Sequence, residues 1–147
     1  MTLTLQGARF GAIDYLSEDI IQFTDGLIGF PQLRHFLLIA HSESSPFRWL
    51  QSIDEPALAF LTIDPNHYIS DFSIQVTDEV ANELDLSEST PTLALTTVSI
   101  PPGKPNDLTL NLSGPLIINV ERRVGKQVVV EGESEKLRRR VFTNAAA

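Results

Sequence analysis

Histidine and carboxylate side chains are the groups in this sequence best suited to proton transfer or metal binding, and few arrangements of them need weighing. The histidines are His35, His41 and His67. His35 and His41 flank one predicted strand; six residues at ~3.3 Å each put them ~20 Å apart, too far to share a metal ion. His67 lies in the segment Asp64-Pro65-Asn66-His67-Tyr68, where an Asp–His pair offers general-base chemistry. The same residues also make an ordinary turn in which Asp64 and Asn66 organise the backbone through local hydrogen bonds, and the turn is the simpler reading. Asp54-Glu55 and the acids within Glu131–Glu135 are candidates for paired carboxylates or a calcium site. Their spacing is not specific to either, and it suits a solvated acidic surface.

No Gly-rich phosphate loop, metalloprotease helix, nucleophile elbow or EF-hand loop is present. The chain has no cysteine, which removes thiol nucleophiles, disulfides and Cys-ligated zinc together and fits a reducing compartment. The expectation is therefore no catalytic residue, no metal and no cofactor, hence a binding protein and not an enzyme. Lys136–Arg140 resembles a nucleic-acid patch. A single short basic run without interleaved aromatics, in a chain of net charge −8, is a weak phosphate site. No direct nucleic-acid partner is expected. Phe30, Pro31 and Trp49 lie beside loops, where aromatics serve either as core or as anchors of a partner interface.

The elements that must position these groups are mostly strands, because short alternating or β-branched runs are broken by Gly, Pro, Asp and Asn. Ile20–Phe23 leads to the turn residues Asp25-Gly26 and then to Gly29-Phe30-Pro31. Phe36–Ala40 is almost wholly apolar, as for a strand buried on both faces. Phe47–Gln51 follows, then Leu58–Ile63, ending at Asp64-Pro65-Asn66. Asp71–Val76 alternates, with Phe72, Ile74 and Val76 on one face. Leu93–Ile100 is a strand stopped by Pro101-Pro102, and Pro101 to Asp107 is a polar connection. Leu108, Leu110 and Leu112 share one face and Leu116, Ile118 and Val120 another, with a turn or bulge at Ser113-Gly114-Pro115. Val124-Gly125-Lys126 reads as a tight reversal into Gln127–Glu131.

Two helices are predicted. Thr77 caps the first, with Asp78 and Glu79 in its opening turn and Val80 and Leu84 facing the core. Ser134 caps the second, which carries Leu137 and Val141 on one stripe and Arg138, Arg139 and Arg140 in its last turn. The architecture expected is mainly β: a small closed or split β-barrel-like domain with one or two short peripheral helices. A single domain spans residues 1–142, and 143–147 is a disordered tail.

The 147 residues suit such a domain, which buries roughly 68–70% of the surface its unfolded chain exposes. With 42% hydrophobic and 20% charged residues, the composition is globular and not disordered. No signal peptide precedes the domain and no apolar run approaches ~18 residues, so a cytoplasmic location off the membrane is expected. The chain is expected to be a monomer, because no long apolar stripe is left once the core is filled. Charge is uneven. Residues 1–100 hold fourteen acidic and three basic side chains, whereas 101–147 hold five acidic and eight basic. An acidic majority surface repels nucleic acid and steers basic partners toward it.

Four segments in order go beyond generic strand patterning. They are Asp25-Gly26-Leu27-Ile28-Gly29-Phe30-Pro31, then Pro46-Phe47-Arg48-Trp49-Leu50-Gln51-Ser52-Ile53-Asp54-Glu55-Pro56, then Ala59-Phe60-Leu61 leading to Asp64-Pro65. Last comes Asn111-Leu112-Ser113-Gly114-Pro115-Leu116-Ile117-Ile118-Asn119, with Gln127 after it. In this arrangement the chain resembles the FliW family of bacterial flagellar assembly factors over about residues 20–130. Ser113-Gly114 departs from the bulkier or Ala-containing pair expected before Pro115.

The resemblance implies a compact β-barrel-like fold and two protein partners. One is flagellin, the filament subunit; the other is the translational regulator CsrA, a small basic RNA-binding dimer. Released from flagellin, the family antagonises CsrA and so frees flagellin mRNA for translation. Under that reading the partner-binding candidates are Phe30, Pro31, Trp49, Gln51, Asp54, Glu55 and Asp71. Asp54, Glu55 and Asp71 are expected to face CsrA, and the Gly29-Phe30-Pro31 turn with Trp49 to lie near flagellin. The alternative is an acidic chaperone or antagonist of another basic client.

Overall fold

A computed structural model describes residues 2–7, 11–40, 42–68, 76–104, 107–129 and the backbone of 138–140. The strands are β1 (Thr2–Gly7), β2 (Gly11–Leu16), β3 (Ile21–Phe23), β4 (His35–Ala40), β5 (Arg48–Ser52), β6 (Ala59–Ile63), β7 (Thr92–Ser99), β8 (Thr109–Asn119), β9 (Val124–Gln127) and β10 (Arg138–Arg140). The one α-helix among the described residues, α1, is Asp78–Glu83. Strands pair in the order β8-β7-β6-β5-β4-β3-β9, and β9 pairs back onto β8, closing a seven-stranded barrel. All these pairings are antiparallel except β3 with β9. The barrel expectation holds. Among the described residues no helix is long and apolar enough to cross a membrane.

Alternation sorts side chains to the two sides of the barrel wall. Ile21, Phe23, Phe36, Leu50, Leu95, Leu116 and Ile118 fill the interior, closed below by Leu27 and Leu33. Phe23 meets Phe36 edge to face at 5.3 Å between ring centres, the arrangement the ring quadrupoles favour. Ile117, between two inward residues, points outward instead and packs under Val80 and Leu84 of α1. A third cluster of Ile63, Leu108, Leu110 and Leu112 is joined by Phe47 and Val98.

α1 forms where the sequence places it. Thr77 Oγ1 accepts the Val80 N–H at 3.2 Å, satisfying one of the orphan donors of the first turn. Asn119 fixes its far end: the buried amide donates to Leu84 O at 2.8 Å and Asp85 O at 3.2 Å. Its Oδ1 accepts the Glu121 and Arg122 amides, both at 3.1 Å. That second pair shapes the β8–β9 reversal, which occupies residues 120–123 with Arg123 at φ 55°. Val124-Gly125-Lys126 is therefore strand and not the turn. Gly125 is needed for close packing: a Cβ there would lie 2.8 Å from the Phe23 ring and 3.2 Å from Ile117 O.

Ser113-Gly114-Pro115 is the expected irregularity, but within one continuous strand. Leu95 faces Leu116 while Thr97 faces Asn111, so the register slips across it. The slip lets β8 serve two edges: its first half pairs with β10 (Arg138↔Asn111, Arg140↔Thr109) and its second half with β9. Residues 138–140 are thus a strand, not the last turn of a helix. The open edge of β8 beside Thr109–Asn111 takes backbone partners there, which outweighs the favourable placing of cations at a helix end. The rest of that predicted helix, the predicted strand Asp71–Val76 up to residue 75 and the tail from 143 lie outside the described residues; Val76 is described, exposed and in no strand.

No strand is predicted before Ile20, yet β1 and β2 form a hairpin, Thr2↔Leu16 through Gly7↔Gly11. It belongs to a separate two-stranded sheet and lies across the outer face of the wall. Ile13 and Tyr15 border the same groove as Leu37 and Ile39, and Gly7 abuts the Gln51 side chain.

The pairing between β6 and β7 is short. It consists of Ile63↔Thr96 and Thr62↔Thr97 and then stops. Beyond that point Ala59–Leu61 stay paired to β5, and Val98 and Ser99 stay paired to β8, but the two strands do not pair with each other.

Candidate partner-binding site

The outer end of the β6–β7 seam holds one of the sequence candidates, Trp49. A groove of about 330 Å³ opens there, lined by Trp49, Ala59, Phe60, Leu61, Val98 and Ile100 among others. Trp49 is half-buried and sits opposite Leu61 in the β5–β6 ladder. Phe60 packs against the barrel interior, and its ring meets that of Phe30 at 5.4 Å, edge to face. Ile100, just past β7, is 44% exposed.

The loop carrying Phe30 is built by local geometry. Gly26 (φ 69°) has no room for a side chain, since a Cβ would lie 2.6 Å from Pro31 O, and Gly29 (φ 88°) takes a second left-handed position that glycine allows. Leu27 and Phe30 exchange N–H···O bonds of 3.2 and 2.8 Å. A long-range clamp holds the tip: Gln127 Oε1 accepts the Ile28 N–H at 2.7 Å, and its Nε2 donates to Gly114 O at 2.9 Å. A Cβ on Gly114 would fall 2.7 Å from that Nε2, so the glycine before Pro115 is matched to Gln127. Held this way, the loop leaves Ile28 58% exposed and Pro31 exposed.

Asp54 and Glu55 occupy the β5–β6 turn, between Ser52 and Ala59. Their roles differ. Asp54 Oδ2 accepts the backbone N–H of Arg34 at 2.7 Å and of His35 at 2.8 Å, and Oδ1 lies 3.0 Å from His35 Nδ1. Partial burial works against its charged form. The Arg34 amide and the His35 ring and amide outweigh that and hold the carboxyl below its usual range. Asp54 is therefore a clamp between the turn and the start of β4. Glu55 uses only its backbone, donating to Ser52 Oγ at 2.9 Å, and its side chain stands in solvent.

Gln51 is a correction. Its side chain is fully buried and not offered to a partner. Nε2 donates to Ser52 O at 2.8 Å, Pro56 O at 3.0 Å and Leu58 O at 3.2 Å, taking up carbonyls of the same turn, while Oε1 is buried without a partner. Asp71 and His41 lie outside the described residues.

The Asp64 segment is a turn: Asp64 Oδ1 accepts the Asn66 N–H at 2.9 Å, opening a short 3-10 turn over Pro65–His67, and the His67 ring packs edge-on against Tyr68. Among the described residues no group of three or more His, Asp or Glu is placed to hold a metal ion. Sequence reasoning missed Ile28, Leu61 and Ile100. Ile28 had a signal, an isoleucine at the tip of a two-glycine turn, where the chain cannot bury it.

The sequence and the fold recur in known proteins. The model of the family described as "FliW protein" matches residues 4–141. A flagellar assembly factor FliW of Magnetococcus marinus is 40% identical over 134 residues, covering 91% of this chain and 83% of the relative. One from Desulfitobacterium hafniense is 34% identical, covering 99% and 95%. A solved structure titled "Crystal structure of the flagellar assembly factor FliW" superposes with a TM-score of 0.88 at 29% identity, covering 97% of this chain and 99% of that one. A closed seven-stranded barrel that matches the crystallised fold, and a sequence that matches the family from end to end of that barrel, identify the chain as a member of the FliW family of flagellar assembly factors.

Proposed function

We propose that this chain acts in the cytoplasm by binding two proteins in turn, flagellin and the translational regulator CsrA, and that binding CsrA relieves repression of flagellin mRNA. The reading rests on membership of the flagellar assembly factor family. The observation that carries it is a closed barrel built from a markedly acidic chain. Fourteen acids against three basic residues in the first hundred give a surface suited to a basic RNA-binding client. Such a surface speeds encounter with that client and repels phosphate near it, an effect that salt weakens. The Phe30 loop and the Trp49 groove supply the apolar counterpart suited to a filament subunit.

The test is capture of flagellin and CsrA from lysate by the immobilised chain, followed by titration with purified CsrA at low and high salt. Glu55→Lys is the informative charge variant, because Asp54 is tied into the fold. Glu55→Lys is expected to weaken CsrA binding several-fold and to flatten its salt dependence, leaving flagellin capture intact. Retention of neither protein by the folded chain would overturn the reading.

A further inference from the structure

We propose that the β1–β2 hairpin is a detachable strap: it lifts from the wall as a unit about the Ser17–Asp19 turn and uncovers Leu37, Ile39 and the Gln51 amide while the barrel stays folded. The proposal goes beyond the reading above, since it concerns a motion of this fold, whichever protein binds it.

Three observations converge on it. First, the hairpin bonds to itself. Its ladder forms a sheet of its own. Thr4 Oγ1 donates to Asp14 Oδ1 at 2.8 Å, and the Leu16 N–H donates to Asp19 Oδ2 at 3.0 Å. The Ile20 N–H then closes the 3-10 turn Ser17–Asp19 on Ser17 O. Bonding to the barrel begins only at β3, where the Gln22 N–H donates to Arg123 O at 2.9 Å. Among the described residues, no hydrogen bond or ion pair joins either strand of the hairpin to the barrel.

Second, the seat is apolar and incompletely filled. Leu5 is buried and Leu3, Ile13 and Tyr15 are half-buried, yet none of them belongs to the three core clusters. An opening of about 310 Å³ remains where Ile13 and Tyr15 meet Leu37 and Ile39. Third, the closed strap leaves a buried acceptor unmet. Gln51 is fully buried, its Nε2 bonds the carbonyls of the turn after β5, and its Oε1 has no partner. Oε1 is the atom that a Cβ on Gly7 would meet first, at 3.4 Å. β1 thus covers this oxygen and offers it no donor, a desolvation cost that opening relieves.

Opening also changes what the wall presents. Ile39 is paired with Trp49, and Trp49 with Leu61, across β4, β5 and β6. Paired residues share a face, so Leu37 and Ile39, once uncovered, extend the apolar face that carries the Trp49 groove. The strap sets how much of that face is exposed.

The experiment is amide hydrogen exchange on the full chain. A two-stranded ribbon alone is marginal, so lifting the strap also melts its ladder. The ladder amides of β1 and β2 are expected to exchange together, about a hundredfold or more faster than those of β4, β5 and β7. Ile63→Val trims a cluster that the hairpin does not join. It should speed exchange in the barrel about fivefold and leave the hairpin's rate unchanged, because the barrel stays folded in the open state. Gly7→Ala and Gly7→Ser both remove glycine's freedom in the unfolded chain, but only serine brings a hydroxyl donor to Gln51 Oε1. Hairpin exchange should be about fivefold slower in Gly7→Ser than in Gly7→Ala. Hairpin amides that exchange at the rate of the barrel core overturn the proposal. So does an Ile63→Val variant that speeds the hairpin as much as the barrel, or Gly7→Ser exchanging no more slowly than Gly7→Ala.

Discussion

Replacing Asp54 with alanine separates fold from surface at the acidic turn. The carboxylate accepts two backbone amides, from Arg34 at 2.7 Å and His35 at 2.8 Å, and the His35 ring at 3.0 Å. Hydrogen bonds to a charged group contribute about 1.5–3 kcal/mol each when shielded. Here the Asp54 side chain is 32% exposed, so water replaces part of what is lost and the sum is expected near 2 kcal/mol. For a domain of this size that lowers Tm by about 4–8 °C. The pH dependence has a definite sign. A carboxyl held below its unfolded value of 3.8 contributes fully above that value and loses its contribution as pH falls through the lower folded value. Thermal melts of the parent chain, Asp54→Ala and Asp54→Asn at pH 7 and at steps down to pH 3 should show a gap at neutral pH that narrows in acid, with Asp54→Asn between. If Asp54→Ala melts with the parent at pH 7, or the gap is undiminished at pH 3, the clamp is misassigned.

Three further perturbations test the scaffold. Gln127→Ala and Gly114→Ala break the same clamp on the Phe30 loop; each should cost about 1–2 kcal/mol in urea denaturation, and the double variant much less than the sum. Asn119→Ala removes four hydrogen bonds from a buried site and should cost about 3 kcal/mol, with faster amide exchange over 84–86 and 121–122. Lys126 binds Asp25 at 2.8 Å and Glu83 at 2.9 Å, and those two carboxylates raise its pKa to about 12. Its contribution, roughly 1 kcal/mol, is therefore complete below the unfolded value of 10.5 and lost as pH rises through 12, so the stability gap to Lys126→Met should close in strong alkali.

Local signals in the sequence were sufficient where local physics decides. Thr77 ahead of Asp78-Glu79 marks a helix start, and Asp64-Pro65-Asn66 marks a turn, because cap and turn bonds join residues two or three apart. Where distant partners decide, the same signals mislead. Gly125 reads as turn chemistry but answers to Phe23, a hundred residues away. Three consecutive arginines suit a helix end, but the edge of β8 recruits them into a strand. Gln51 resembles a surface amide, yet its two N–H donors are turned inward to the Ser52, Pro56 and Leu58 carbonyls of the turn after β5. The alternation in Thr2-Leu3-Thr4-Leu5 is a strand signal that the terminal position hides. Of the candidate site, the Phe30 loop and Trp49 were legible as aromatics beside turns. The groove beside Trp49 was not, because β5, β6 and β7 build it from residues up to fifty apart in sequence.

The proposed exchange of flagellin for CsrA on this barrel has a direct functional readout. Reconstituted translation of a flagellin reporter mRNA tests it most directly. CsrA should repress the reporter, the chain should restore translation in proportion to CsrA bound, and added flagellin should bring repression back. Repression by CsrA that the folded chain leaves untouched, or relief that flagellin fails to reverse, would contradict the account.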